Sequence, residues 1–233
     1  MQCAAEPKPS SLSVPIQMPL FRTARFEISI AKPGDLPAPV GAEIAFAGRS
    51  NAGKSSAINT LAEHTRLAYV SKTPGRTQPI NFFRLDCGAA LVDLPGYGYA
   101  KVPEAIRRQW VSLLESYLRR RENLVGLVLI MDSRRPLTPL DHQMIDWYLP
   151  GGRPIHCLLT KSDKLSRNEA AATLAKVRRE LAPLGGQISA QLFSSLKKIG
   201  MEEVEHKVAE WLGLPTDDLP AIPTAAQLRA AGK

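Results

Sequence analysis

The sequence predicts an α/β protein with a mostly parallel central sheet, one antiparallel strand and helices on both faces. Three observations lead there. Strand-like apolar runs alternate with helix-periodic segments along most of the 233 residues, the pattern of a layered parallel sheet. INFFRLD (80–86) and AALVDL (89–94) are separated by little more than Cys87-Gly88, a hairpin spacing that makes these two strands antiparallel neighbours. LVGLVLIMD (124–132) is continuously apolar, as strands covered on both faces are.

Taken in order, FEISIA (26–31) alternates like a strand and EIAFAG (43–48) reads as a short buried one. A helix follows from Lys54 to about Leu61, and then the hairpin. The next helix opens with Pro103 in its first turn and runs to about 121, with Ile106, Trp110, Leu113, Leu114 and Tyr117 at helical spacing. After the apolar strand come a helix at 138–148, strand IHCLLT (155–160), helix 167–181, strand ISAQLF (188–193) and helix 200–212. Residues 1–24 are rich in Pro, Ser and Ala, and 213–233 contain three prolines with little apolar periodicity. Both read as flexible tails around one domain spanning 25–212.

Composition narrows the class. Hydrophobic and charged fractions of 44% and 22% are those of a globular chain. No transmembrane run is visible, and the first twenty residues lack the basic start and continuous apolar stretch of a secretory signal. Cys3, Cys87 and Cys157 have no paired spacing, and His64, His142, His156 and His206 are dispersed. That argues against a disulfide framework or zinc site and favours the cytoplasm. Thirty Lys and Arg against 22 Asp and Glu give a formal charge of +8, which points to a polyanionic partner, nucleic acid ahead of membrane. Residues 101–135 hold Lys101, Arg107, Arg108, Arg119, Arg120, Arg121, Arg134 and Arg135 against four acids. For any single one of these arginines a solvated helix face is the plainer reading.

Ligands of such sheets bind beyond the carboxyl ends of the strands, and the chemistry-bearing residues lie there. GRSNAGKS (Gly48, Arg49, Ser50, Asn51, Ala52, Gly53, Lys54, Ser55) follows a strand and opens a helix. It fits G-x-x-x-x-G-K-[ST]: backbone N–H groups curl around a phosphate chain, Lys54 reaches the β- and γ-phosphates, and the Ser55 hydroxyl binds Mg²⁺. DLPGYGYA (93–100) places Asp93 at a strand end, 38 residues after Ser55, where an acid holds the magnesium through water. Leu94 and Pro95 lead to Gly96, whose N–H approaches the γ-phosphate.

SKTPGRTQP (71–79), with Gly75, Arg76, Thr77, Gln78 and Pro79, is a polar loop before the hairpin. A GTPase needs a threonine there for the metal and the γ-phosphate, and Thr73 and Thr77 both qualify. In TKSD (Thr160, Lys161, Ser162, Asp163) the aspartate can accept from N1–H and the 2-amino group of guanine, donors that adenine lacks. The Lys161 stem would cover the base. FSSLKKIG (193–200) supplies Phe193 and the N–H groups of Ser194 and Ser195, which could bind the guanine O6. Together the five segments predict a guanine-nucleotide-binding domain of Ras-like P-loop GTPase fold. A P-loop ATPase or kinase would share GRSNAGKS and Asp93 but gives no reason for TKSD or FSS. A non-hydrolysing GTP-binding division scaffold would differ only in turnover.

GRSNAGKS, SKTPGRTQPINFF, DLPGYGYAKV, TKSD and FSSLKKIG together resemble the EngB (YsxC/YihA) family of bacterial GTPases, of the TrmE-Era-EngA-EngB-Septin-like superfamily, over about 25–212. The resemblance implies a role in assembly of the large ribosomal subunit, with its precursor and rRNA as partners, and a link to cell division and septation. It also implies that Thr77, rather than Thr73, joins Ser55 and Asp93 at the metal. Two departures from the broader GTPase pattern stand out. Thr160 takes the place of the usual asparagine, which weakens one support of the base site. Tyr97 follows Gly96 where many GTPases place a water-orienting glutamine, with Arg49 and Arg76 nearby. Intrinsic hydrolysis is therefore expected to be slow and to depend on Lys54, Thr77, Gly96 and Asn51, with K⁺ held near Asn51 or a partner completing the site. The glycines after Asp93 are expected to make that loop respond to loss of the γ-phosphate and so alter how Arg107 and Arg108 meet rRNA. A monomer is the default, since no coiled-coil heptads occur.

Overall fold

The structure, a computed structural model, describes residues 19–68, 79–98, 104–217 and 219–223, without the side chains of 104–110. Its strands are β1 (Arg25–Ile30), β2 (Glu43–Gly48), β3 (Ile80–Arg84), β4 (Ala90–Asp93), β5 (Leu124–Asp132), β6 (Ile155–Thr160) and β7 (Ile188–Leu192). The helices are α1 (Lys54–Leu61), α2 (Glu104–Arg120), α3 (Pro139–Tyr148), α4 (Arg167–Leu181) and α5 (Met201–Trp211). Each element coincides with a predicted one to within a few residues.

All seven strands form one sheet in the order β1-β3-β4-β2-β5-β6-β7. The run from β4 to β7 is parallel, and β3 is antiparallel to both its neighbours. The hairpin strand therefore lies one place in from the edge. β1 pairs outside it from Arg25↔Arg84 to Ile30↔Ile80, with a bulge between Phe26 and Ile28.

The apolar run of β5 is explained by its two covered faces. Leu127, Leu129 and Met131 pack with α2, α3 and α4 residues such as Tyr117, Ile145 and Val177. Val128 and Ile130, pointing the other way, pack with Ile58 of α1 and Val204 and Val208 of α5. Period-2 alternation inside an all-apolar strand thus feeds both layers.

Two expectations need correction. The domain limits of 25 and 212 are too narrow, because Leu20, Phe21 and Leu219 are buried in the α1/α5 core. Leu20 and Phe21 sit in a 3₁₀ turn (Leu20–Thr23) whose first amides donate to the Glu205 carboxylate, and the Phe21 ring meets Phe46 edge-on at 6.3 Å. Arg121 is no part of a solvated basic face. It is buried and ion-paired at 2.6 Å with buried Glu43, which also accepts from the Tyr117 hydroxyl at 2.9 Å.

Candidate functional site

The phosphate-loop segment leaves β2 at Gly48, where β5 passes so close that a Cβ would meet the Ile130 carbonyl oxygen at 2.8 Å. Only glycine fits. The loop then turns through Asn51 at φ +63° and Gly53 at φ +103°, the residue that caps α1; asparagine and glycine tolerate the left-handed region that this turn demands. The segment after β4 runs alongside. Leu94 N–H donates to Phe46 O (2.9 Å), Tyr97 N–H to Gly48 O (3.2 Å) and Ser50 N–H to Tyr97 O (2.8 Å). Lys54, the first residue of α1, is ion-paired with Asp93, which is 4% exposed at the end of β4. A Cβ on Gly96 would make only ordinary contact with the Ser50 backbone, at 3.5 Å. Glycine at 96 is thus not demanded by packing.

The end of β6 is tied to the same loop. Thr160 Oγ1 lies 2.5 Å from Ala52 O and 3.0 Å from Met131 O. The threonine that stands in place of the usual asparagine thus ties the end of β6 to the phosphate loop through its own hydroxyl. Lys161, at φ +58°, sends Nζ to Asn51 O (2.6 Å) and Asp132 Oδ2 (2.9 Å). Asp163 Oδ1 accepts from the Ser194 hydroxyl at 2.6 Å. That bond, aided by Lys164, outweighs partial burial and holds the Asp163 carboxyl below its ordinary pKa.

Three expected residues take different parts. Phe193 is fully buried, and its carbonyl accepts from Ser162 N (3.2 Å) and Oγ (3.0 Å), so it anchors the TKSD turn from the core. Ser194 N–H is engaged with Ile199 O at 3.1 Å, which leaves Ser195 of the two expected amide donors. Arg49 turns to α3: its Nε is 3.5 Å from Asp141 Oδ2 and its Nη2 donates to Arg135 O at 3.3 Å. Gly75, Arg76, Thr77 and Gln78 lie outside the described residues, as do Lys101 and the side chains of Arg107 and Arg108; Pro79 just precedes β3.

Sequence reasoning passed over two acids here. Asp132 ends β5 as Asp93 ends β4, and an acid closing an apolar strand was the available signal. Burial opposes its ionisation, but hydrogen bonds from Arg134 and Lys161 prevail and hold its carboxyl far below the usual range. Asp141, fully buried in the first turn of α3, accepts from Thr138 N and Oγ1 (2.9 and 2.8 Å) and from the Tyr97 hydroxyl (2.9 Å). Burial first, and then Asp141, push the Tyr97 phenol far above its ordinary pKa, so it stays a donor.

The rim thus brings Lys54, Asp93, Thr160, Lys161 and Asp163 onto one side of the sheet, beyond the ends of β4, β2 and β6. Known proteins resemble this chain in sequence and in fold. The family described as 50S ribosome-binding GTPase matches residues 43–161. A GTP-binding protein EngB of Aromatoleum aromaticum is 86% identical over 93% of this chain and 100% of its own length. One from Azoarcus sp. is 76% identical over 84% of this chain and 94% of its own. A crystal structure of an EngB GTP-binding protein superposes with a TM-score of 0.60 at 20% identity, covering 74% of this chain and 99% of that one, a likeness of fold. With the Ras-like P-loop architecture in place and relatives this near in sequence, the chain belongs to the EngB family of GTPases.

Proposed function

We propose that this GTPase is a slow, Mg²⁺-dependent molecular switch that assists assembly of the large ribosomal subunit. It works as a cytoplasmic monomer with a link to division and septation. The observation that carries the reading is the double tether of the phosphate loop to the guanine loop, through Thr160 Oγ1 to Ala52 O and Lys161 Nζ to Asn51 O. A base held by Asp163 and phosphates held by residues 48–55 would then be read by one rigid unit. The match to a 50S ribosome-binding family and the formal charge of +8 support the ribosomal partner. Among the described residues no helix is long and apolar enough to cross a membrane.

The donor chemistry fits magnesium. Ser55 and Asp93 offer hard oxygens, and the ion typically takes only one or two protein ligands beside water and phosphates. In keeping with that, the described residues hold no cluster of three His, Cys, Asp or Glu for an all-protein cage. Thr77 would complete the set. When bound, Mg²⁺ neutralises charge building on the β- and γ-phosphates. Lys54, which faces Asp93 in this structure, would turn its ammonium to the same oxygens. Gly96 would offer its N–H to the γ-phosphate. The Asp163 carboxylate, kept ionised by Ser194, would accept from guanine N1–H and the 2-amino group. Asn51 is exposed on the loop, where its side chain would take part in holding K⁺.

Asp163→Asn tests the base site, since xanthine offers an acceptor at position 2 where guanine has an amine. Preference should move to xanthosine nucleotides, and an unchanged GTP affinity sinks the assignment. Hydrolysis in K⁺ against Na⁺, with and without subunits, tests the missing catalytic element; equal slow rates in all four mixtures would refute it. Co-sedimentation with large-subunit precursors should be stronger with a GTP analogue than with GDP.

A further inference from the structure

The nucleotide site leaves one strongly charged surface unused. β5, β6 and β7 are adjacent and parallel, so the loops after them are neighbours. They bring Arg134, Arg135, Lys164, Lys197 and Lys198 to the same rim. Neighbouring strands are about 4.8 Å apart, so the three loops leave the sheet within about 10 Å of one another. That is comparable to the Debye length of ~10 Å at 0.1 M salt, and the five cations act as a single field.

Arg134 and Lys164 have side chains 51% and 57% exposed, and each has one acid beside it, Asp132 and Asp163. Arg135, Lys197 and Lys198 are exposed and make no ion pair with any described residue. The α2 end, where the arginine run lies, offers less. Arg121 is buried with Glu43, and Arg119 faces Glu115 at 3.4 Å.

Building on the reading of a ribosomal partner, we propose that this rim is a docking surface for an RNA phosphate backbone. Among the described residues, the one large apolar side chain exposed within these three loops is Leu196, at 71%. A lone leucine provides neither the apolar centre of a protein interface nor the apolar helix face of a lipid-binding segment. Loop-borne lysines and arginines do suit phosphate contacts, which need charge and position but no reading of base edges.

The test is binding of poly(U), and of large subunits, to the full chain saturated with GDP, as a function of salt. The triple variant Arg135→Gln/Lys197→Gln/Lys198→Gln removes three side-chain charges and keeps the backbone bonds of Arg135 O with Arg49 and of Lys197 N–H with Ser194 Oγ. Its GDP affinity and thermal midpoint should match wild type. Each lost contact should reduce the slope of log K against log[salt] by about 0.7, or about 2 in all, with an affinity loss of about tenfold or more at low salt. Arg119→Gln/Arg120→Gln on α2 should bind as wild type. The inference is overturned if the triple variant binds poly(U) or subunits as wild type does. Wild type failing to bind poly(U), or preferring poly(Glu) at equal charge, overturns it too, the latter pointing to an acidic protein. Rim-dependent poly(U) binding without any subunit binding leaves the RNA surface standing and refutes the ribosomal partner instead.

Discussion

Tyr97 donates its hydroxyl to Asp141 across 2.9 Å, inside the protein, from the position where many GTPases carry glutamine. The other oxygen of the same carboxylate takes Thr138 and faces Arg49. One buried acid therefore joins the phosphate loop, the loop after β4 and the start of α3. Tyr97→Phe removes one donor from it, at a cost of about 1.5–3 kcal/mol. For a domain of this size each kcal/mol lowers the thermal midpoint by about 2–4 °C, so a fall of about 3–12 °C is expected. Tyr97→Gln should hydrolyse GTP no faster than wild type, because a side chain here is directed at α3 rather than at a nucleophilic water. Single-turnover rates decide it, and a faster glutamine variant contradicts the assignment.

Thr160 is the second test of how the site is built. Its hydroxyl is, among the described residues, the one side-chain donor shared by the Ala52 and Met131 carbonyls. Thr160→Val keeps the shape and deletes the donor, which leaves buried acceptors short of a partner at about 1–3 kcal/mol. If half of that falls on the nucleotide-competent loop, GDP affinity drops by about two- to tenfold, since 1.4 kcal/mol is one decade. Thr160→Ser should stay close to wild type. Equal GDP affinities for the valine and serine variants would remove the tether from the account.

These two residues also mark where the sequence stopped being readable. Strand and helix limits were legible because burial enforces periods of 2 and 3.6, and Asp93 stood out because an acid seldom closes an apolar strand. The same rule applied to Asp132 would have found the partner of Lys161. The place of β1 was not legible, because alternation within FEISIA says nothing about which strand it joins. Arg121 was misread within a run of three arginines. Each helical residue turns about 100° from the last, so Arg119 and Arg120 face water while Arg121 meets Glu43, 78 positions away in sequence. Asp141 looks like an ordinary first-turn acid of a Thr-Pro-Leu-Asp helix start, and only the fold places Tyr97 and Arg49 against it.

The Glu43–Arg121 pair should behave as a buried ion pair. Arg121 also donates Nη1 to Pro37 O at 2.6 Å and so ties the segment before β2 to the end of α2. Arg121→Met leaves Glu43 charged and unpaired, costing about 3–5 kcal/mol. Glu43→Gln/Arg121→Met should recover much of that loss, because the uncompensated charge is then gone. Urea denaturation of the three proteins measures it, and a double variant no more stable than Arg121→Met would show that the lost packing dominates instead.

Stability should also fall on mild acidification, through His156. Its Nδ1 is 2.7 Å from Ser189 Oγ and its Nε2 2.6 Å from Gln191 Oε1, and its ring meets Trp211 edge-on. Burial, with Lys207 and Arg178 adding to it against the Gln191 bond, lowers its pKa to about 4. The folded value is depressed, so the neutral form is the one the fold prefers. The stabilisation is complete above the unfolded value of about 6.5 and is lost as pH falls from there through about 4, by about 3 kcal/mol in all. Glu203 and Glu205, whose carboxyls burial pushes up, work in the opposite direction over part of that range, so the comparison must be between variants. His156→Gln cannot gain the proton, and its stability should decline less steeply between pH 6.5 and 4, by up to about 1.4 kcal/mol per pH unit. Identical slopes for the two proteins would mean that His156 is not buried as a neutral ring.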